Sequence, residues 1–277
     1  MIDINFLNFL RRKPKILTVA YSHTGNVRAV NQDNLYINGR YMKENEIDKA
    51  FFEIQTEESD INIFAVSDGM GGESYGERCS LIAVSELRKI QNRLNVNIAK
   101  WDNIVSKYIN RVNDLICAMM RLYRCSSGTT LALMCTDGKY AKIYNIGDSR
   151  VYMLRKNELT QLTKDHTIVQ ELISSGCLSE SEAKTRPDRH KLTQNLGIFP
   201  QERQIETHIH PIIELNKGDV FLLCSDGVTE MCDNSEIKEI LSQQRDIIAI
   251  GNDLLKKSLE KGGQDNITII LVNINSV

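Results

Sequence analysis

The chain has 277 residues, 42% of them hydrophobic, which is enough to bury a core, and a formal net charge of −2, which supplies no basic field for capturing nucleic acid. No stretch approaches the ~18 consecutive apolar residues of a membrane-spanning helix, which excludes a helical span. The seven cysteines are scattered, with no C-x-x-C pair, so neither a disulfide framework nor a thiolate zinc site is expected, and a cytoplasmic location follows.

In chain order, Phe6, Leu7, Phe9 and Leu10 precede Arg11, Arg12, Lys13 and Lys15, the reverse of a signal peptide. Residues 1–15 are therefore expected to be a short N-terminal extension, a helix or frayed arm. Apolar runs rich in β-branched residues predict strands near 16–21, 61–67, 129–136, 140–146, 150–154, 205–210, 219–225 and 266–273. Two long amphipathic helices interrupt them. The first, from Gly76 to Leu94, carries Cys79, Ile82, Ala83, Leu87 and Ile90 on one stripe; the second, from Trp101 to Tyr123, carries Val105, Tyr108, Val112, Ile116 and Met120.

Short turns such as Thr136–Lys139 link the later strands, which favours hairpins and a mainly antiparallel arrangement over a doubly wound parallel sheet. A helical patch is predicted from Asp165 as N-cap through Ile173 to Gly176, followed by a polar excursion to Arg189 in which Pro187, Arg189 and Lys191 are candidates for touching acidic peptides. Two more helices are predicted at Ser235–Leu241 and Ile247–Leu259. With no low-complexity linker, no repeat and four prolines, residues 1–277 read as a single domain.

Two buried-strand runs, 63–69 and 221–227, both end in Ser-Asp-Gly. A strand closing on Asp-Gly puts a carboxylate at the rim of a sheet, and the glycine permits a turn or the close approach of a ligand. Asp33, Asp148 and Asp265 sit in similar small polar turns. Each alone is an ordinary turn residue. As a set, five carboxylates with no accompanying histidine cluster point to a hard cation, Mg²⁺, Mn²⁺ or Ca²⁺, rather than zinc.

Seven segments carry a wider resemblance: Arg28-x-x-Asn31-Gln32-Asp33, Ser67-Asp68-Gly69-Met70-Gly71-Gly72, Gly128-Thr129-Thr130, Gly147-Asp148-Ser149-Arg150, Leu162-Thr163-Lys164-Asp165-His166-Thr167, Ser225-Asp226-Gly227 and Gly262-Gly263-Gln264-Asp265-Asn266-Ile267-Thr268. In order and spacing they resemble the metal-dependent protein phosphatases of the protein phosphatase 2C type, bacterial members above all, from about residue 17 to the C-terminus. The resemblance implies an α+β fold, a four-layer αββα sandwich of two mainly antiparallel β-sheets flanked by helices. It implies a serine/threonine phosphoprotein phosphatase in which a water bridging two cations attacks phosphorus directly.

Carried over residue by residue, Asp68 resembles the carboxylate that bridges two Mn²⁺ or Mg²⁺ ions, with the Gly69 carbonyl on one of them. Asp226 and Asp265 would complete the other ion's shell, Asp33 would reach the second ion, and Asp148 would help hold a weaker third one, with Asp226. Arg28 matches the phosphate-binding arginine, whose planar fork suits two phosphate oxygens. Residues from about 165 to 191 match the family's flap beside the active site, with His166 as a structural anchor and Arg150 structural as well. Partners implied are phosphorylated protein substrates and an opposing serine/threonine kinase; a monomer is expected, with no nucleic-acid partner.

The chain departs from the family pattern at Gln32, where many members carry Glu, at Met70, where animal members place a histidine, and at Glu73, where bacterial relatives often have one. Two other readings start from the same residues. A phosphatase-like binding module without turnover should have lost metal ligands, whereas Asp68, Asp226 and Asp265 are all present. A metal-dependent phosphodiesterase would want a base-reading pocket or a glycine-rich phosphate loop, and the sequence offers no such loop.

Overall fold

The computed structural model describes residues 15–44, 46, 51–57, 60–71, 75–183 and 185–276. The N-terminal extension other than Lys15, and Glu73, lie outside the described residues. In chain order the strands are β1 (Lys15–His23), β2 (Asp33–Ile37), β3 (Arg40–Tyr41), β4 (Phe51–Glu57), β5 (Asn62–Met70), β6 (Gly128–Thr129), β7 (Leu131–Thr136), β8 (Tyr140–Ile146), β9 (Arg150–Arg155), β10 (Glu158–Gln161), β11 (His208–Ile209), β12 (Ile213–Glu214), β13 (Val220–Cys224) and β14 (Ile267–Ser276). The helices are α1 (Gly76–Gln91), α2 (Trp101–Tyr123), α3 (Ile168–Ser174), α4 (Glu180–Ala183), α5 (Asp226–Thr229), α6 (Asn234–Leu241) and α7 (Ile247–Glu260).

One sheet runs β10-β9-β13-β14-β1-β4 and the other β11-β8-β7-β5-β2-β3, with β12 also on β8 and β6 on β5. Every ladder is antiparallel. The period-2 alternation of the strands assigns their side chains to layers. Phe221 and Leu223 of β13, Ile270 and Val272 of β14, and Phe64 and Val66 of β5 point between the sheets and form one core. Leu222, Leu271 and Ile269 point the other way, under α5, α6 and α7. On the far side Ile63, Ala65, Leu131 and Leu133 receive the apolar stripes of α1 and α2, including Leu87, Val105 and Val112. Helix, sheet, sheet and helix therefore stack in four layers over three cores, as the sequence led us to expect.

Local chemistry accounts for the helix ends. α6 starts at a capping box: the Asp233 carboxylate accepts from the Ser235 and Glu236 backbone N–H groups, and Glu236 returns a bond to the Asp233 N–H. Asp246 caps α7 in the same sense, accepting from the Ile248 N–H. The first predicted helix ends at Gln91, and residues up to Leu94 form a 3₁₀ turn. Five of the seven cysteines, Cys79, Cys117, Cys135, Cys224 and Cys232, are buried core side chains.

Two expectations are corrected. Asp165 is not the N-cap of the flap helix: α3 begins at Ile168, capped by Thr167, whose hydroxyl accepts from the Gln170 N–H. The strand expected over 205–210 contracts to β11, His208–Ile209, and Pro211 offers no N–H to carry the ladder onward.

Candidate active site

β2 and β5 are neighbours in the second sheet, and their register sets Asp33 directly opposite Asp68. Asp33 is fully buried. Its Oδ2 accepts from the Ser225 hydroxyl at 2.7 Å, and Ser225 Oγ in turn accepts from the Thr268 N–H at 3.0 Å. The residue before Asp226 and the strand after Asp265 thus both reach the first carboxylate. Asp68 is held by its backbone: its N–H donates to Thr130 Oγ1 at 2.9 Å, and its carbonyl accepts from Thr129 Oγ1 at 2.8 Å and from the Thr130 N–H at 2.9 Å. This is the structural work of the Gly128-Thr129-Thr130 segment.

Gly69, next in β5, is buried and donates to the Gln32 carbonyl. Its own carbonyl faces the start of α1, where a Cβ on Gly76 would stand 2.9 Å from it. Asp226 opens α5 at the end of β13. Asp265 precedes β14 and receives Arg28, with Nη2 to Oδ2 at 2.6 Å.

The loop that carries Arg28 is tied to the Asp265 segment by Asn266, which donates to the carbonyls of Thr24 and Val30 and accepts from the Gln32 N–H at 2.8 Å. Gly25 makes this approach possible. It sits at φ +84°, and a Cβ there would fall 2.2 Å from the Asp265 carbonyl oxygen, so any side chain would displace the segment holding Asp265.

Asp148 is delivered by the turn between β8 and β9. Gly147 before it has φ +94° and packs against Thr130, and its N–H donates to His166 Nδ1 at 3.1 Å while its carbonyl accepts from the His166 N–H. His166 therefore ties the β8–β9 turn to the start of the segment that leads into α3. Arg150 makes a fork on Asp165, with Nε to Oδ1 at 3.0 Å and Nη2 to Oδ2 at 2.6 Å. Removing one partner from so enclosed a pair strands the other charge, so Asp165→Ala is expected to cost about 3–5 kcal/mol in a denaturant titration.

The five carboxylates share one electrostatic environment. Burial pushes Asp33 up to about 6 against the pull of Ser225, and pushes Asp148 up to about 7, helped by Asp165 and opposed by Arg150. Asp68 is raised well above the usual carboxylate range, first by desolvation and then by Asp33, Asp226, Asp148 and Asp265. Asp226 is raised likewise, by burial and then by Asp148, Glu230, Asp265 and Asp33. Arg28 feels Asp265, Asp226 and Asp68 together. The acidic residues singled out in the sequence therefore act on one another as one cluster, with Arg28 beside it, its side chain 54% exposed.

Two buried carboxylate oxygens of this cluster, Asp33 Oδ1 and Asp226 Oδ1, accept no hydrogen bond. Buried anionic oxygens without donors need positive charge. An all-oxygen set of aspartates with one backbone carbonyl fits a hard divalent cation such as Mg²⁺ or Mn²⁺. Of the departures, Gln32 turns its amide toward Glu77 in the first turn of α1, and uses its backbone carbonyl to accept from Gly69 and from the Ser80 hydroxyl. Met70 ends β5, with its carbonyl accepting from Ser127 Oγ.

Sequence reasoning missed one group. His190, at the C-terminal base of the flap, places Nδ1 2.7 Å from Glu230 Oε1, and both stand beside Asp226. The available signal was the i, i+4 spacing of Asp226 and Glu230 across one helical turn. A cavity of about 860 Å³ opens on this side, between the flap and the segment 226–236, and Asp148, Arg189, His190, Asp226 and Glu230 line it.

The family model "Protein phosphatase 2C" matches residues 44–262. The serine/threonine phosphatase stp of Listeria welshimeri is 33% identical over 244 residues, covering 86% of this chain and 93% of that protein. The protein phosphatase PhpP of Streptococcus pneumoniae is 33% identical over 216 residues, 76% of this chain and 85% of that one. Among solved structures, the S. agalactiae serine/threonine phosphatase superposes with a TM-score of 0.80 at 26% identity, covering 93% of this chain and 99% of that one. The catalytic domain of the serine/threonine protein phosphatase PstP, solved in complex with two manganese ions, gives a TM-score of 0.75 at 27% identity and covers 95% and 100%.

Proposed function

The chain belongs to the protein phosphatase 2C family, and from that premise we propose that Asp33, Asp68, Asp148, Asp226, Asp265 and the Gly69 carbonyl hold its divalent ions and that Arg28 binds the substrate phosphate. It is a metal-dependent protein-serine/threonine phosphatase, a hydrolase of phosphoserine and phosphothreonine that uses Mn²⁺ or Mg²⁺. The observation that carries the residue assignment is the convergence of five aspartates around two buried carboxylate oxygens that have no donor.

Bound at such a cradle, divalent ions supply positive charge that acidifies water and offsets the charge of the phosphoryl oxygens. The chain's own groups do the positioning. The Asp33 carboxylate is held by Ser225, and the Asp68 backbone is held by Thr129 and Thr130, which fixes the points from which the two side chains start. Arg28 donates Nη2 to Asp265 at 2.6 Å, and among the described residues its remaining N–H groups are free for a phosphate monoester. Arg150, through Asp165, and His166, through Gly147, brace the turn that carries Asp148.

Phosphorylated proteins are the substrates, and we assign an opposing serine/threonine kinase as the partner activity. The net charge of −2 argues against nucleic acid. No helix among the described residues is long and apolar enough to cross a membrane. A monomeric, cytoplasmic enzyme whose residues 1–277 act as one catalytic domain, with the flap at about 165–191 choosing among substrates, is the arrangement we favour.

The test compares a phosphothreonine peptide with a cyclic dinucleotide, each with Mn²⁺ or with chelator. Peptide turnover that requires Mn²⁺ is expected. Peptide turnover in chelator would remove the metal mechanism, and cleavage of the dinucleotide alone would move the chain to the phosphodiesterases.

A further inference from the structure

We propose that the trough between α1 and α2 docks an acidic, amphipathic helical segment of the phosphoprotein substrate, apart from the phosphate that reacts. The inference rests on the protein substrates assigned above and adds the place where a second part of such a substrate binds. The two helices run antiparallel: Arg78 of α1 lies over the Tyr123 ring at the end of α2, Glu86 meets Arg111, and Arg93, in the 3₁₀ turn after α1, shares a cavity of about 330 Å³ with Lys107. From Lys107 to Tyr123 the trough follows α2 for about 24 Å.

Its charge is one-sided. Residues 76–124 hold nine lysines and arginines against four acids, in a chain whose net charge is −2. At one end Lys89 and Arg111 both engage Glu86, which leaves a positive charge over, and Arg93 and Lys107 are exposed with no acidic partner among the described residues. Ile90 and Tyr108, both buried, line the floor between them. Farther along α2 the outer face turns apolar. Lys107, Arg111, Leu115, Ala118 and Leu122 recur at intervals of three and four and so share one stripe, on which Leu115 is 36% and Leu122 74% exposed. Packing of the core does not account for these leucines, because Val105, Val112 and Ile116 already form the inward stripe of α2.

Cations at one end and leucines at the other complement a helix that carries carboxylates beside an apolar face. A concavity between two helix ridges suits such a helix better than it suits the flat surface of an anionic bilayer. The wall formed by α1 explains why the occupant belongs to the substrate. α1 starts at Gly76, against the Gly69 carbonyl and beside Gln32. A segment lying along it therefore leaves the trough next to the aspartate cluster, and docking raises the local concentration of the phosphate monoester attached to it.

The experiment pairs binding with kinetics on the full chain. The probe is a fluorescein-labelled helical peptide of about 16 residues, matching the trough's length, with a leucine stripe bordered by glutamates. It is used unphosphorylated for anisotropy in chelator, and joined by a flexible linker to a phosphothreonine peptide for turnover with Mn²⁺. Arg93→Glu with Lys107→Glu is set against Lys100→Glu with Arg124→Glu, an equal change of charge at exposed positions outside the trough. The wild type and the second variant are expected to bind the probe, and to turn over the joined substrate with a KM about tenfold below that of the bare phosphopeptide at unchanged kcat. The first variant is expected to lose both effects and keep the bare-peptide kinetics. Equal binding by all three proteins, or no KM advantage in the wild type, would overturn the site. Sedimentation of the wild type with phosphatidylglycerol vesicles, without probe binding, would overturn it too and assign the basic face to a membrane. Absence of any turnover of the bare phosphopeptide would count against the phosphatase reading instead, and anisotropy would still decide whether the trough binds.

Discussion

Asp68→Asn is expected to lower Mn²⁺-dependent turnover of a phosphothreonine peptide by about a thousandfold, close to 4 kcal/mol of barrier, while making the chelated protein more stable. The two effects have one cause. Asp68 lies opposite Asp33 in the β2–β5 ladder and within the field of Asp226, Asp148 and Asp265. In the proposed cradle, that density of negative charge would hold the ions. Without ions it is repulsion inside a poorly hydrated cleft, and an amide of the same shape removes part of it. A gain on the order of 1 kcal/mol would raise the melting temperature by about 2–4 °C in a chain of this size. The backbone bonds of Asp68 to Thr129 and Thr130 persist in the variant, so misfolding would not account for lost turnover. Lost activity together with a lower melting temperature in chelator would mean that Asp68 is structural.

The second large effect is on how stability depends on pH. In chelator, the melting temperature should fall as pH rises from about 4 to about 8. Asp33 and Asp148 are raised to about 6 and about 7, and Asp68 and Asp226 are raised further. A carboxyl whose pKa is higher folded than unfolded keeps its proton in the native state after the unfolded chain has released it. Its contribution to stability is complete below the unfolded pKa near 4 and is lost as pH climbs through the folded value. For the fully buried Asp33 alone, a shift of this size is worth on the order of 3 kcal/mol. Saturating Mn²⁺ should reverse the slope, since ions bind only the deprotonated carboxylates and stabilise the native state by mass action. Parallel melting curves with and without Mn²⁺ across this range would show that the acidic cluster is not the ion site.

Much of the fold was legible because it follows from periodicity. α2 runs from Trp101 to Tyr123 as its apolar stripe indicated, and β13 and β14 follow their β-branched runs. β2 was not read as a strand, since it opens with Asp33 and Asn34, two polar residues that are nonetheless fully buried. Asn34 spends its side chain on Met42, donating to its carbonyl and accepting its N–H, and Asp33 on Ser225. Met42 lies beyond a turn and Ser225 is 192 residues from Asp33, so no alternating pattern reveals them. Asp165 looked like a helix cap because its carboxylate precedes an apolar-periodic segment, but Arg150 from the adjoining sheet engages that carboxylate and leaves the cap to Thr167.

The aspartates were visible as a set, because strands ending in Asp-Gly and glycine-flanked turns mark carboxylates at sheet rims. That Ser225, Thr130 and Asn266 would hold them in place depends on pairings across more than a hundred residues for Ser225 with Asp33, and on the approach of the two sheets. His190 carried no motif at all; only the flap's path over α5 brings it to Glu230 and Asp226.

The most direct test of the shared cradle is electron paramagnetic resonance of the chelator-stripped chain reconstituted with about two equivalents of Mn²⁺, beside Asp68→Asn. If Asp68 links the two ions as proposed, the wild type should give the broad spectrum of an exchange-coupled pair, replaced in the variant by the sharp lines of isolated Mn²⁺. Isolated-ion lines from the wild type, or the same coupled spectrum from both proteins, would contradict a metal pair bridged by Asp68.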